Sequence, residues 1–290
     1  MIPGEINFLM WLENSRNGFW NFLFEAITML GEELLPVVLI ATLYFAFSKE
    51  LAHRLFFVTI TSMSVNNITK NLAKIPRPFA SGKVNPLRVE TATGYSFPSG
   101  HTQTFATWST TLAYRFKKWY FLLFAAVLIP LVGFSRLYLG AHYPSDVICA
   151  VIIGVGLALA LNFAFDKVKN RNLLYLSAIA ISTPFALVFF IQGDPISADL
   201  FKVYGMLIGG GLGSFIEGKF VKFDYDVPVW KKIVRTAGGL VLALGIKFGL
   251  NFAKYMPNVQ LSLLMDGARY FLLVFGVMGL LPLLYKKIKL

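Results

Sequence analysis

The feature that most constrains this chain is a series of long apolar stretches separated by short groups of charged residues. Hydrophobic residues make up 56% of the chain and charged residues only 14%. A soluble domain carries more charge than this, so the composition argues against a soluble protein. Only α-helices and closed β-barrels span a bilayer, and these stretches exceed the roughly ten residues of a barrel strand. The sequence therefore predicts an all-α, polytopic membrane helix bundle.

We predict about nine transmembrane helices, preceded by N-terminal helices that lie in the membrane interface. Segment 5–31 mixes bulky aromatic residues with Glu13, Arg16 and Glu25, which is typical of interfacial helices. The predicted spans are 33–48, 53–73, 100–115, 119–134, 145–166, 172–192, 199–217, 233–253 and 266–285.

The formal net charge of +12 does not indicate a nucleic-acid-binding protein. The basic residues form neither a Lys/Arg-rich tail nor a basic amphipathic stripe, and most lie in short groups between apolar stretches. These groups occupy alternate loops, which the positive-inside rule assigns to the cytoplasm. Segments 74–98 and 135–144 then lie on the outer side. The short loops favour a bacterial cytoplasmic membrane.

Short polar segments at the ends of apolar stretches contain the residues that can bind an anion. An unpaired cation beside a membrane span is costly, so Lys70, Arg77 and Arg136 are candidates for a functional role. The planar fork of arginine binds two phosphate oxygens at once. Ser99 and Gly100 lead into a helix whose free N–H groups and dipole favour an anion. Together these residues predict a phosphate-binding site.

Two histidines and an aspartate can provide the catalytic groups for a reaction at the bound phosphate. His142 and Asp146 are four residues apart, so on a helix they share a face. Asp146 can accept a proton from one ring nitrogen and leave the other to attack phosphorus. His101, when protonated, can donate to the departing oxygen as a general acid.

These segments resemble the three motifs of the type 2 phosphatidic acid phosphatases, a superfamily that also includes vanadium haloperoxidases. Every motif position is present, in order and at the ends of apolar stretches, which makes the resemblance specific. Lys-x6-Arg-Pro is matched by Lys70, Arg77 and Pro78, Pro-Ser-Gly-His by Pro98, Ser99, Gly100 and His101, and Ser-Arg-x5-His-x3-Asp by Ser135, Arg136, His142 and Asp146.

The resemblance implies a role for each matched residue. His142 is implied to be the nucleophile that forms a phosphohistidine, with Asp146 orienting it and His101 as the acid. The family needs no metal and no cofactor, and the motifs have no cluster of metal-ligating residues near them. The implied phosphate ligands are Lys70, Arg77, Ser99, Gly100 and Arg136.

The resemblance also suggests a division of the chain. Residues 1–170 correspond to the phosphatase core, and residues 171–290 hold further transmembrane helices whose role the sequence does not indicate. Within them, the glycine-rich segment 205–213 predicts close helix packing or dimerisation. The sequence indicates no oligomeric state.

The predicted function is that of an integral membrane lipid phosphatase acting on a monoester or diphosphate. The substrate classes are phosphatidate, phosphatidylglycerol phosphate, a polyprenyl diphosphate and a sphingoid phosphate, and the sequence does not choose among them. The expected partners are this lipid and membrane lipids. Two alternatives stay open: a lipid transporter or binding protein with a degenerate site, and a lipid phosphotransferase. The apolar spans argue against a haloperoxidase.

Overall fold

The computed structural model describes residues 4–224 and 226–290, apart from the side chain of Lys254. Within these ranges it contains helices and no strand, which confirms the predicted all-α class. The α-helices are α1 (Glu5–Asn14), α2 (Gly18–Thr28), α3 (Leu34–Thr42), α4 (Lys49–Ala73), α5 (Gly100–Phe116), α6 (Trp119–Tyr138), α7 (Pro144–Lys167), α8 (Arg171–Gln192), α9 (Ala198–Ile216), α10 (Val229–Gly249), α11 (Val259–Phe275) and α12 (Leu281–Lys287).

In the part of the chain that the structure describes, four helical segments are long and apolar enough to cross a membrane: α6, α7, α8 and the continuous run Val259–Lys287, which joins α11 to α12. The pair Gly18–Gly31 and Leu34–Phe47 is bent by 47° and gives a fifth if it is one broken span. The chain is therefore an integral membrane protein. The other segments predicted to span are helical, but they are too short or too polar to count as spans by length and composition.

The chain forms two compact units. The first comprises Met1–Pro36 and Val65–Phe163, and the second comprises Val37–Ser64 and Ala164–Leu290. All the predicted site residues belong to the first unit, which contains α1, α2, α5, α6, the end of α4 and most of α7. In the second unit, α9 packs against α11 so closely that a Cβ on Gly209 would lie 2.6 Å from the carbonyl oxygen of Phe271. The glycine-rich segment therefore serves helix packing.

In the first unit, the N-terminal helices hold the loops that carry the polar motifs. The carboxylate of Glu13 on α1 accepts hydrogen bonds from the backbone and side-chain nitrogens of Asn85, at 3.0 and 2.5 Å. Arg16 follows α1 and donates to the carbonyl oxygens of Tyr138 and Asn85, at 2.7 and 2.5 Å. The segment predicted to be interfacial thus fixes the loops before α5 and after α6.

An apolar pocket of about 250 Å³, open at the surface, lies between α1, α2 and α6, apart from the predicted site residues. Several neighbouring aromatic side chains on α1 and α2, such as Trp11 and Phe22, are largely exposed. Exposed rings of this kind are what a bilayer interface accommodates. The pocket is lined by Trp11, Leu12, Ser15, Trp20, Phe24, Phe134 and Tyr138.

Candidate active site

The end of α4 supplies the first cation of the site. Lys70 is buried, and its Nζ donates to the carbonyl oxygens of Tyr95 and Ser96, at 2.5 and 3.3 Å. The helix stops three residues later because Lys74 adopts a left-handed conformation and Pro76 disfavours a helical residue before it. The chain then turns into the loop that carries Arg77.

Arg77 ties this loop to the third motif. Its Nε donates to the carbonyl oxygen of Gly94 at 3.0 Å, and its Nη2 donates to that of Thr93. Its Nη1 donates to the carbonyl oxygen of Ala141 at 3.0 Å and lies 3.1 Å from Nε2 of His142. A phosphate oxygen held by Arg77 would therefore sit beside a ring nitrogen of His142.

The start of α5 brings Ser99, Gly100 and His101 to the same place. Ser99 is the N-cap of the helix, and its backbone nitrogen donates to the carbonyl oxygen of Asp146 at 3.2 Å. The first N–H groups of a helix have no partner within it, so those of Gly100 and His101 are available to an anion. Gly31 packs on this turn: a Cβ there would lie 2.6 Å from the carbonyl oxygen of His101.

His142 and Asp146 make the contact that the spacing suggested, but across a helix start rather than along a helix face. Pro144 begins α7, so His142 precedes the helix and Asp146 lies in its first turn. The Nδ1 atom of His142 is 3.3 Å from Oδ2 of Asp146. The same oxygen accepts from the backbone nitrogen of Tyr143 at 2.8 Å. The carboxylate is thus fixed by the turn that carries the histidine.

Ser96 is a third member of this group, and the motif analysis missed it. Its hydroxyl donates to Oδ2 of Asp146 at 2.5 Å and lies 3.4 Å from Nδ1 of His142. An Nδ1–H that points at Asp146 leaves the lone pair of Nε2 on the side of Arg77. No pattern marks Ser96, because it lies in a loop outside the motifs and reaches Asp146 only in the folded chain.

The environment of His142 keeps its ring neutral. The side chain is 1% exposed, and this burial is the main cause that lowers the pKa of His142 well below the ordinary value of 6.5. The positive charges of Arg77 and Lys70 lower the pKa further. A neutral imidazole with one nitrogen unprotonated is the form that can act as a nucleophile.

Arg136 is the most deeply buried cation of the site, at 1% exposure. Its Nη1 donates to the hydroxyl of Thr28 at 2.8 Å. Its Nε and Nη2 are buried and bond to none of the residues described in the structure, and the same holds for Nε2 of His101. Buried donors left in this way are costly, and an oxyanion is the partner that suits a guanidinium. Thr28 is 108 residues away in sequence, and no motif indicated it.

The geometry thus gathers the predicted cations and histidines around one point in the first unit. Arg136, Arg77 and Lys70 all lie near enough to act electrostatically on His101. Within residues 4–224 and 226–290, no group of three or more His, Cys, Asp or Glu side chains is arranged to hold a metal ion. The arrangement suits a phosphate group bound by cations beside a neutral imidazole.

Two family models match the chain. The model described as the PAP2 superfamily matches residues 51–169, which include all three motifs. A second model, described as the PAP2 superfamily phosphatase transmembrane extension, matches residues 201–290. No solved structure matches the chain at a significant level.

Individual relatives are named for different lipid phosphates. The chain is 25% identical over 241 residues to a probable sphingosine-1-phosphate phosphatase of Dictyostelium discoideum, covering 73% of this chain and 57% of that relative. It is 30% identical over 137 residues to an undecaprenyl-diphosphatase of Sulfolobus acidocaldarius, covering 46% of this chain and 65% of the relative. It is 30% identical over 170 residues to phosphatidylglycerophosphatase B of Bacillus subtilis, covering 53% of this chain and 80% of that relative.

The contact between Thr28 and Arg136 gives a prediction about anion binding. Replacing Thr28→Val keeps the shape of the side chain but removes the hydroxyl that orients the guanidinium. A hydrogen bond to a charged group contributes about 1.5 kcal/mol or more, so the Kd for inorganic phosphate should rise roughly tenfold. Calorimetric titration of the purified protein with phosphate measures this.

Thr69→Val is the matched control, because the hydroxyl of Thr69 donates to the carbonyl oxygen of Val65, one turn earlier in α4. It should leave the phosphate Kd unchanged. An equal Kd in Thr28→Val and wild type would show that Thr28 does not position Arg136 for an anion.

Proposed function

Because this chain belongs to the PAP2 superfamily, we propose that it is a membrane phosphatase that hydrolyses the phosphate monoester or diphosphate of a lipid through a phosphohistidine. The observation that carries the proposal is the buried guanidinium of Arg136, whose Nε and Nη2 have no partner among the described residues. It lies in one unit with a neutral His142 and the cations Lys70 and Arg77. Such a cluster needs an anion, and phosphate fits its donors.

The proposed first step is attack by Nε2 of His142 on phosphorus. The Nε2–P bond forms as the bond from phosphorus to the lipid oxygen breaks. Asp146 stabilises the positive charge that develops on the ring, because its Oδ2 lies 3.3 Å from Nδ1. The negative charge of the bound phosphate offsets the neighbouring cations and favours protonated His101, which donates its proton to the departing oxygen. The lipid leaves as an alcohol, or as a monophosphate from a diphosphate.

The proposed second step regenerates the enzyme with water. His101, now neutral, takes a proton from the water as its oxygen attacks phosphorus, and the Nε2–P bond breaks. Inorganic phosphate leaves and His142 returns to its starting state. During both steps Lys70, Arg77, Arg136, the side chain of Ser99 and the N–H group of Gly100 are proposed to hold the phosphoryl oxygens.

The membrane setting supports a lipid substrate, and the relatives' names support three lipid phosphate classes. We propose that the full set of nine predicted spans crosses the membrane, with residues 1–170 as the catalytic part and residues 171–290 as an added helical part. We further propose that the site faces the outer side of a bacterial cytoplasmic membrane. The distribution of basic loops supports this orientation.

A lipid transporter or binding protein with a degenerate site would bind lipid phosphate without releasing phosphate. The complete set of motif residues favours the phosphatase over this alternative. A phosphotransferase would pass the phosphoryl group to an alcohol instead of water, and analysis of the phosphorylated products separates it from a hydrolase.

The histidine mechanism predicts the behaviour of a His142→Ala variant. Purified wild-type protein should release phosphate from at least one lipid among phosphatidate, phosphatidylglycerol phosphate, sphingosine phosphate and a polyprenyl diphosphate, and a chelator should not reduce the rate. In His142→Ala, kcat should fall by roughly 10³-fold or more, because the catalytic nucleophile is absent. The control His53→Ala replaces a histidine outside the site, in the second unit.

Labelling with radioactive lipid phosphate then separates the candidate functions. Wild-type protein should carry acid-labile label after a rapid quench, and His142→Ala should not. Folded protein that releases no phosphate from any lipid of the panel would rule out the phosphatase proposal.

The lowered pKa of His142 predicts the acid side of the pH profile. Protonation of Nε2 destroys the nucleophile, so kcat/KM should fall only as pH drops through the lowered pKa. The acid limb assigned to the free enzyme should therefore lie below 6.5, the ordinary value for histidine. Phosphate-release rates across pH 4–9, roughly, with the substrate ionisation measured separately, test this. An acid limb at or above 6.5 would contradict a neutral His142 held among cations.

The orientation predicts which loops an impermeant thiol reagent reaches. In a Cys149→Ser background, which removes the one cysteine, Lys83→Cys should be labelled in intact cells and Lys169→Cys only after lysis. Both positions are exposed in the structure. If intact cells were labelled at Lys169→Cys and not at Lys83→Cys, the topology would be the opposite of the one proposed.

A further inference from the structure

We propose that Arg88, which is ion-paired with Glu32, forms a second anion subsite beside the proposed phosphate-binding site and favours lipids that carry a second phosphate group near the one that is hydrolysed. This inference rests on the proposed function and concerns the substrate class. Neither residue belongs to the three motifs.

Arg88 and Glu32 form an ion pair that uses only part of the hydrogen-bonding capacity of the Arg88 guanidinium. Nη2 of Arg88 lies 2.7 Å from Oε1 of Glu32, and the two side chains are 19% and 20% exposed. The Nε of Arg88 is buried and bonds to none of the described residues. The guanidinium is therefore held by one carboxylate and keeps a donor for another oxyanion.

Glu32 lies on the turn that contacts the catalytic groups. It directly follows Gly31, which packs against the backbone of His101. One turn earlier, Thr28 accepts the hydrogen bond from Arg136. Glu32 also acts electrostatically on Arg136. The carboxylate thus stands at the edge of the cation cluster rather than on an unrelated surface.

Arg88 approaches the same groups from the loop between α4 and α5. The preceding residue, Leu87, donates its N–H to the carbonyl oxygen of Leu139 at 3.0 Å, which fixes the loop to the third motif. Arg88 acts electrostatically on both His101 and Arg136. Its backbone has a φ of 58°, a left-handed conformation that non-glycine residues rarely adopt and that occurs preferentially at functional sites.

The charges explain why a second phosphate is the fitting ligand. A single phosphate monoester, with a charge of about −2, is already matched by Lys70, Arg77 and Arg136. Arg88 is neutralised by Glu32 and adds little for such a substrate. A second phosphate group competes with Glu32 for the guanidinium, and phosphate suits the arginine fork as well as a carboxylate does. A diphosphate, or a monoester next to a phosphodiester, gains this contact.

The test compares substrates that differ only in the second phosphate. For Arg88→Gln we expect kcat/KM for a polyprenyl diphosphate to fall roughly tenfold or more, and that for the monophosphate of the same alcohol by less than about threefold. Lys83→Gln removes one charge from the exposed part of the same loop and should change neither rate. Equal losses on both substrates would overturn the subsite and assign Arg88 a structural role.

Glu32→Gln should change the substrate preference in the opposite direction, and it provides a test if Arg88→Gln does not fold. Releasing Arg88 from its carboxylate should raise the preference for diphosphate over monophosphate by roughly threefold or more. Glu90→Gln removes an exposed acid of the same loop and is the control. An unchanged or reduced preference in Glu32→Gln would overturn the proposal. Comparing phosphatidylglycerol phosphate with phosphatidate distinguishes a phosphodiester from a diphosphate as the second group.

Binding of inorganic anions separates failure of the subsite from failure of the proposed function. Thermal unfolding of wild-type protein should show stronger stabilisation by pyrophosphate than by phosphate, and Arg88→Gln should lose this difference. This readout needs no turnover, so it holds even if no lipid is hydrolysed. Equal stabilisation of wild type by the two anions would contradict the subsite.

Discussion

Burial of like charges around one point is the constraint on which the site depends. Lys70, Arg77 and Arg136 are each less than a tenth exposed. Cations removed from water are costly unless they are paired. The chain compensates Lys70 and Arg77 mainly with backbone carbonyl oxygens of the loop before α5 and of the turn after α6. Nη1 of Arg136 donates to the hydroxyl of Thr28, and Glu32 acts on the guanidinium electrostatically. Its Nε and Nη2 bond to none of the described residues, so we propose that the phosphate of the substrate completes the compensation.

This arrangement explains why the N-terminal helices matter to the chemistry. The carbonyl groups that hold the cations lie on loops, and loops hold a geometry only when they are anchored. Glu13 and Arg16 supply that anchor by bonding to Asn85 and to the end of α6. Thr28 on α2 bonds directly to Arg136. Segment 5–31 thus carries exposed aromatic side chains and also supports the proposed phosphate site.

The sequence was a good guide where residues close in sequence determine the result. The apolar stretches and the short charged groups between them predicted the all-α class and the position of each long helix. The relation between His142 and Asp146 follows from their spacing and from Pro144, although the contact crosses a helix start. Ser96, Thr28 and Glu13 were missed because their partners lie 46 to 108 residues away. Such contacts depend on packing, which no local pattern encodes. The number of spans depends on helix length and on hydropathy. Helix α5 has only 17 residues, and the Ser, Thr and Asn residues buried along α4 lower the hydropathy of that longer helix.

Those buried hydroxyl and amide groups also bear on how the site is kept rigid. Asn66 on α4 donates to Gln103 on α5 at 2.8 Å, one turn from Lys70 and close to the start of α5. A hydrogen bond between side chains that are fully or almost fully buried fixes the register of two helices, because each group is costly to leave unpaired. The same polar residues that make these helices poor spans by composition therefore hold Lys70 and the N-terminus of α5 in a fixed relation. Polar groups buried between α4 and α5 thus lower the hydropathy of both helices and also brace the proposed phosphate site.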